Sequence, residues 1–441
     1  MKSETPAKKD PQELSSGPKK AILVGTYETG EKPKCEEQLN ELESLGDTFG
    51  LKTILKMPCP LRGVDAGTFL GKGKVEEIRA LAEELQCDLI VFDDEISPQQ
   101  QRNLEQIFSK AVIDRTELIL GVFAQRAQTR EAKLQIELAS LQYQMPRLKR
   151  LWTHLSRQRT GGSGGGYLKG EGEKQIEIDR RIVRHKIDQV RKELEQVKLH
   201  RQIQRRARDR SGIPTFAIIG YTNVGKSTLM NALTDADVLV EDKLFATLDT
   251  TTRKYVLPNR QQILLIDTVG FIRKIPHQLV AAFKSTLEEA VQADILLHLI
   301  DASNPNALAQ AEATMGILKE LEALNRPILT VLNKIDRCKS RIEIDRIRFK
   351  YPKTIEISAV TKVGFDRLLD LMVREVSLLR KKVSLRVPQS QYGLISETLR
   401  EGNVLSTEYD GNDILLEVEI PKHLEQKVAH FEVNGEPLHE S

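Results

Sequence analysis

Cysteine is scarce in this chain: four in 441 residues, at Cys35, Cys59, Cys87 and Cys338, none in C-x-x-C spacing. That scatter argues against a disulfide framework and a zinc site and leaves free, mostly buried thiols. Long hydrophobic runs are missing too. The longest uncharged apolar stretch lies around Ile295 to Ile300, far short of the roughly twenty residues a membrane-spanning helix needs. Met1 to Lys20 is polar, with Pro, Ser and Lys and no apolar core. Residues 1–19 are therefore expected to be a disordered tail and not a signal peptide. Tryptophan occurs once, at Trp152. The hydrophobic fraction of 40% and charged fraction of 29% are those of a soluble globular protein. The expectation is a cytoplasmic chain of about three domains, without membrane insertion.

Net charge is also nearly absent, at +3, but it is unevenly spread. From Arg147 to Arg210 there are 19 Lys/Arg against 8 Asp/Glu, a local charge of +11 that leaves −8 for the rest. A basic segment in a mildly acidic protein points to a polyanionic partner.

Gly220-Tyr221-Thr222-Asn223-Val224-Gly225-Lys226-Ser227 fits G-x-x-x-x-G-K-[ST]. Glycines at both ends let the backbone fold so that successive N–H groups point at an anion. Lys226 can reach β- and γ-phosphates, and the Ser227 hydroxyl can ligate Mg²⁺. Phe216 to Ile219 reads as a buried strand and Lys226 to Leu233 as a helix start, the order this loop requires. Three more apolar strands each end in a short motif. Ile263 to Ile266 ends in Asp267-Thr268-Val269-Gly270, where Asp267 can hold Mg²⁺ through water and the Gly270 N–H can sense a γ-phosphate. Ile328 to Leu332 ends in Asn333-Lys334-Ile335-Asp336. The Asp336 carboxylate can accept from guanine N1–H and N2, donors that adenine lacks on that edge. Thr354 to Ile357 ends in Ser358-Ala359-Val360, set to give a backbone N–H to guanine O6. A strand-ending Asp alone is often only a cap; four such motifs in order are specific.

The set resembles the translation-factor-related GTPases, with their G1, G3, G4 and G5 elements. Between G1 and G3, Leu244-Phe245-Ala246-Thr247-Leu248-Asp249-Thr250-Thr251-Thr252-Arg253 resembles the switch I of the HflX family, a sister of the Obg group. By that resemblance Thr247 is the second Mg²⁺ ligand, present in the GTP state, and Phe245 to Asp249 flank the nucleotide. Lys226, Thr247 and Gly270 are then the residues expected to serve hydrolysis. After the D-x-x-G glycine, many GTPases carry a Gln that positions water; here Phe271 stands there, so hydrolysis should be slow without a partner, an ion or a rearranged loop. Asn223 resembles the asparagine of GTPases that recruit K⁺; its plainer reading is a hydrogen bond within the loop. Arg253 and Arg273 are alternative positive groups.

The expected fold is α/β. An N-terminal parallel-sheet domain spans 20–115, and a helical hairpin 116–210. A P-loop GTPase domain spans 215–380, and a small α+β domain, ferredoxin-like by its run of elements, 384–441. Strands and helices alternate through the first domain. There Gly67 to Lys74 is either a helix-entry loop or a nucleotide or RNA contact. Leu134, Leu138, Leu141, Met145, Leu148, Trp152 and Leu155 form one a/d seam; Val183, Ile187, Val190, Leu194 and Val197 form another. Two such arms, each of about thirty residues and roughly 45 Å, pack antiparallel most simply, and Pro146 should kink the first. Trp152 fits the core of the seam. The tip, residues 154–174, surrounds the glycine run Gly161 to Gly166 with His154, Arg157, Arg159, Tyr167, Lys169 and Lys174. It is either a flexible linker or an RNA contact; charge, aromatics and projection together favour RNA.

The resemblance to HflX covers nearly the whole chain after residue 20. It implies a monomeric GTP- and GDP-binding protein that associates with the large ribosomal subunit through ribosomal RNA and splits stalled or stressed ribosomes. Two other readings stay open on the residues: a subunit-assembly GTPase, and a regulatory GTPase acting on a protein partner.

Overall fold

Apolar runs too short for helices and too continuous for exposed strands become buried parallel strands, since only a sheet covered on both faces hides both sides of a strand. The computed structural model describes residues 18–148, 169–209, 212–234, 244–274, 292–338, 341–351 and 353–433. The expected tail up to residue 17, Trp152, Leu155 and the residues 154–168 of the hairpin tip lie outside the described residues. Contacts divide the chain into two compact units: Met1–Gln125 with Ser140–His185, and Arg126–Ala139 with Lys186–Ser441.

The first unit is built from β1 (Lys19–Tyr27), α1 (Lys32–Phe49), β2 (Leu51–Pro60), α2 (Lys72–Glu84), β3 (Leu89–Phe92), α3 (Pro98–Phe108), β4 (Ala111–Asp114) and most of α4 (Arg115–Arg126). The strands form one parallel sheet in the order β2-β1-β3-β4. Its core joins Ile22, Val24, Ile90 and Phe92 of the strands to Ile78, Leu104 and Phe108 of the helices. Ser97 and Gln100 form a reciprocal capping box at the start of α3. Gly67 to Lys74 leads into α2: Asp65 Oδ1 accepts from the Gly67 and Thr68 N–H groups at 2.8 Å, and Gly71 is the N-cap residue. All four cysteines are free thiols.

Pro146 interrupts the helix: a 3₁₀ turn replaces one α-helical turn, and helical backbone resumes at Leu148. Proline has no N–H to donate, and α5 (Arg130–Gln144) gives way to a 3₁₀ turn at Met145–Arg147. The a/d seam described only part of its burial. Leu134 and Leu148 are buried and Leu138, Leu141 and Met145 half-buried, but Ala132, Ile136, Ala139 and Tyr143 are buried as well. A helix covered on more than one side does not keep to a single stripe.

Arg147, counted with the basic arm, is buried in the first unit. Its Nε donates to Gln101 Oε1 at 3.0 Å, its Nη2 donates to Ile96 O at 2.8 Å, and it pairs with Asp114 at 3.4 Å. Tyr143 Oη donates to Asp114 Oδ1 at 2.9 Å, and burial pushes the Asp114 carboxyl above its usual range. Arg115, fully buried, pairs with Asp93 and Glu41.

In the second unit the start of α5 pairs antiparallel with α6 (Lys169–Asp209), through Arg130–Glu193 at 3.1 Å and Glu137–Lys186 at 2.7 Å. Ile187, Val190 and Leu194 are buried and Val183 and Val197 half-buried. The 41 residues of α6 span roughly 60 Å.

The nucleotide-domain elements follow: β5 (Thr215–Gly220), α7 (Lys226–Thr234), β6 (Thr251–Val256), β7 (Gln262–Asp267), β8 (Ile295–Asp301), α8 (Ala307–Glu320), β9 (Ile328–Asn333), α9 (Arg341–Lys350), β10 (Thr354–Glu356) and α10 (Phe365–Leu378). The sheet order is β10-β9-β8-β5-β7-β6, parallel except at β6–β7. The order reverses at β5, so a crevice opens outside its carboxyl end.

The last part has β11 (Lys381–Pro388), α11 (Tyr392–Glu401), β12 (Asn403–Asp410), β13 (Asp413–Ile420) and α12 (Lys422–Val428). Its antiparallel sheet, β11-β13-β12, has three strands among the described residues, and Glu432 adds an antiparallel bridge to Leu385 of β11, just before residues 434–441, which lie outside the described residues. Among the described residues no helix is long and apolar enough to cross a membrane.

Arg147→Ala would leave Asp114 buried without its cation. The expected loss is about 3–5 kcal/mol, measured by urea unfolding of the full chain followed by circular dichroism. A loss below about 1 kcal/mol would mean that Asp114 is held as a neutral acid.

Candidate nucleotide-binding site

The site is assembled from the carboxyl ends of β5, β7 and β9 and the loop after β10. Between β5 and α7 the phosphate loop turns through Asn223 at φ +60° and Gly225 at φ +93°. A Cβ on Gly225 would lie 2.5 Å from Asn333 Nδ2, so glycine is required for both space and backbone conformation. Asn333 is a staple: its Nδ2 donates to Val224 O at 2.8 Å and its Oδ1 accepts from Ala359 N at 2.9 Å. Lys334, at φ +62°, donates to Asn223 O at 2.7 Å and pairs with Asp301 Oδ2 at 2.7 Å. The phosphate loop and the base-end loops thus share one hydrogen-bonded frame.

Lys226 is 6% exposed, and its Nζ donates to Tyr221 O at 2.8 Å. Burial pushes its ammonium down to about 8, partly opposed by the Asp267 carboxylate. A buried ammonium facing carbonyls is poised for an anion.

Three oxygens converge beside it. Ser227 Oγ donates to Asp267 Oδ2 at 2.6 Å, Thr247 Oγ1 donates to the same oxygen at 3.2 Å, and the two hydroxyls are 2.8 Å apart. Asp267 Oδ1 is buried without a hydrogen-bond partner, and burial pushes this carboxyl upward. Hard oxygen donors clustered around one carboxylate fit Mg²⁺. The switch I threonine brought here is Thr247; Thr251 and Thr252 belong to β6 and pair with β7.

Gly270 packs against the phosphate loop. A Cβ there would lie 2.7 Å from Thr222 Cγ2 and 3.0 Å from Lys226 Nζ. Phe271, 1% exposed, ties the two loops through its backbone: its N–H donates to Gly220 O at 3.0 Å, and its carbonyl accepts from Thr222 N at 2.8 Å. Tyr221 Oη accepts from Arg273 N at 2.9 Å. Thr268 Oγ1 donates to Ile218 O at 2.7 Å.

One cleft with about 1070 Å³ of empty space is lined mostly by expected residues, with Thr228 and Arg337 in addition. Thr222, Asn223, Gly225, Lys226 and Ser227 line it, with Phe245, Ala246, Thr247, Thr268 and Gly270. Asn333, Lys334, Asp336, Ser358, Ala359 and Val360 complete the other end, joined by Arg337. Gly220, Tyr221 and Val224 shape the loop from behind, and Leu248, Val269 and Ile335 are not among the lining residues; Leu248 and Val269 are buried. Asp249 departs from expectation: both of its oxygens accept from Gln128 and Thr129, and it does not line the cleft. Asp301, which anchors Lys334, went unread in the sequence; its one signal was a carboxylate closing the apolar run from Ile295 to Ile300.

A strand–loop–helix phosphate cradle with D-x-x-G, N-K-x-D and S-A elements on one parallel sheet defines a P-loop GTP-binding fold. A family model described as 50S ribosome-binding GTPase matches residues 215–334. Models described as GTP-binding GTPase Middle Region and GTP-binding GTPase N-terminal match 126–208 and 36–124. GTPase HflX of Chlamydia pneumoniae is 47% identical over 94% of this chain and 88% of that protein. GTPase HflX of Escherichia coli (strain K12) is 40% identical over 91% and 93%. A GTP-binding protein from Sulfolobus solfataricus, solved in complex with GDP, is 26% identical over 82% of this chain and 99% of that chain, at a TM-score of 0.44. The chain belongs to the HflX family of GTPases.

Phosphate binding should return Lys226 to its charged form. Near pH 8.5 the free ammonium, at about 8, is mostly deprotonated, so nucleotide binding should take up a proton; near pH 7 it is charged in both states and the uptake should shrink. Titration calorimetry in two buffers of different ionisation enthalpy measures this, and equal uptake at both pH values would reject the depressed Lys226.

Proposed function

We propose that this chain is a GTP-gated switch that binds the large ribosomal subunit and separates stalled or stressed ribosomes, hydrolysing GTP slowly until the ribosome stimulates it. The observation that carries the reading is the convergence of Ser227, Thr247 and Asp267, because it joins switch I, the phosphate loop and D-x-x-G at one point. Ser227 and Thr247 would hold Mg²⁺ directly and Asp267 through water. The ion would neutralise phosphate charge.

The protein's own groups do the rest. Lys226 meets the β- and γ-phosphates, and the Gly270 N–H meets the γ-phosphate. Asp336 selects guanine by accepting from N1–H and N2. A backbone N–H of the Ser358-Ala359-Val360 loop would donate to guanine O6, and that loop is braced by Ser358 N–H to Val363 O at 3.0 Å and Ala359 N–H to Asn333 Oδ1 at 2.9 Å. Phe271 offers no side-chain atom to position water. The ribosomal partner is supported by the charge of +11 between Arg147 and Arg210, although Arg147 itself is spent inside the fold, and by the description of the model matching 215–334.

Asp336→Asn should weaken GTP binding by roughly 2–3 kcal/mol and strengthen binding of xanthosine triphosphate, whose C2 carbonyl can accept from the new amide. Competition with a fluorescent GDP measures both, and unchanged guanine affinity would remove Asp336 from the base site. In sucrose gradients, the protein with a non-hydrolysable GTP analogue should convert whole ribosomes to subunits. An unchanged whole-ribosome peak with protein on free large subunits would reject splitting in favour of subunit assembly.

A further inference from the structure

Asp249 has the acidic charge and position of a switch I nucleotide contact, but its carboxylate is committed to a segment 120 residues earlier in the chain. Asp249 Oδ2 accepts from the Gln128 and Thr129 N–H groups, each at 3.0 Å, and Oδ1 accepts from the Thr129 hydroxyl at 2.5 Å. Thr129 Oγ1 in turn accepts from Ala132 N at 3.2 Å. Thr129 is therefore the N-cap of α5, and Asp249 fixes the rotamer of that cap while placing a negative charge at the helix start. Two residues before Asp249, Thr247 reaches Ser227 and Asp267. Switch I is thus held at two points: one in the cleft, one on the helix that pairs with α6.

We propose that Asp249 is a positioning residue for the triphosphate state: its grip on Gln128 and Thr129 sets the path of switch I so that Thr247 reaches the metal position. The idea rests on reading the cleft as a GTP site. The span from Thr247 to Asp249 is too short to let one anchor move freely while the other stays, so the two contacts form together. A ligand that draws Thr247 inward strengthens the contact at 128–129, and an intact contact there strengthens that ligand's binding by the same factor. GDP gives Thr247 no γ-phosphate to close over, so it binds with little dependence on the contact. The start of α5 would thereby register whether a third phosphate is present.

The test uses the full chain with Asp249→Ala, Thr129→Val and Thr129→Ser. Affinities are measured for GDP and for a non-hydrolysable GTP analogue, both with Mg²⁺, and amide exchange is followed over residues 126–134. Asp249→Ala and Thr129→Val should weaken the analogue roughly tenfold, and Thr129→Val should leave GDP affinity as it is. Thr129→Ser, which keeps the hydroxyl, should restore the analogue's affinity. The Gln128 and Thr129 amides should exchange more slowly with the analogue than with GDP, and Asp249→Ala should erase that difference. Unchanged analogue affinity together with equal exchange in both nucleotides would overturn the proposal and make Asp249 a static helix cap. Wild-type protein that binds neither nucleotide would instead overturn the GTP-site reading on which the proposal stands.

Discussion

An ammonium buried without an equal counter-charge is the constraint around which this molecule is organised. Lys226 is nearly sealed from solvent, with carbonyl oxygens as its hydrogen-bond partners, and its preference for the charged form is correspondingly reduced. Asp267 is the nearby carboxylate, but it is occupied by two hydroxyls and is itself short of solvent. Neither charge is settled in the protein alone. Polyphosphate and a divalent ion are the chemical complement of that pair: the anion settles the lysine and the cation settles the aspartate. Ligands of that kind would relieve the condition on binding.

Such a site must be held open by something other than its ligand, or the chain would collapse the charges onto one another. The framework is mostly backbone and amide. Asn333 joins the phosphate loop to the loop after β10, and Lys334, braced by Asp301, joins it to the end of β8. Phe271 closes the third side by pairing main chain with Gly220 and Thr222. The residue that lacks a water-positioning side chain is thus structural at its backbone: its ring is buried and its N–H and carbonyl stitch the D-x-x-G segment to the phosphate loop. Precise placement of Gly270 follows, since the glycine lies one residue before that stitch and touches both Thr222 and Lys226.

What could be read from the sequence follows the range of the interactions. The phosphate loop, Asp267, Asp336 and the Ser358–Val360 loop each lie at the end of a short apolar strand, and a parallel sheet brings such ends to one edge without further information. The alternation of strands and helices likewise gave the N-terminal sheet. Contacts between distant segments were not legible. Asp249 looked like a nucleotide ligand because it sits in switch I, and only the fold brings Gln128 and Thr129 to it. Arg147 looked like the first charge of a basic arm, and only the fold shows it spent on Asp114, Gln101 and Ile96. The second buried face of α5 was hidden for the same reason: periodicity reports one stripe and cannot tell that a helix is covered from two sides.

The two switches are restrained in different ways, and the difference has a mechanical consequence. The D-x-x-G segment is tied through Phe271 to the phosphate loop itself. Switch I is tied at Asp249 to the segment that opens α5, and its other anchor, Thr247, is a hydroxyl beside Ser227 and Asp267. The D-x-x-G segment is thus tied within the cleft, and switch I is tied outside it as well. On the proposal above, the nucleotide would be reported through the segment that switch I holds. That arrangement would suit the proposed switch: the bound triphosphate would carry the signal, and cleavage would end it.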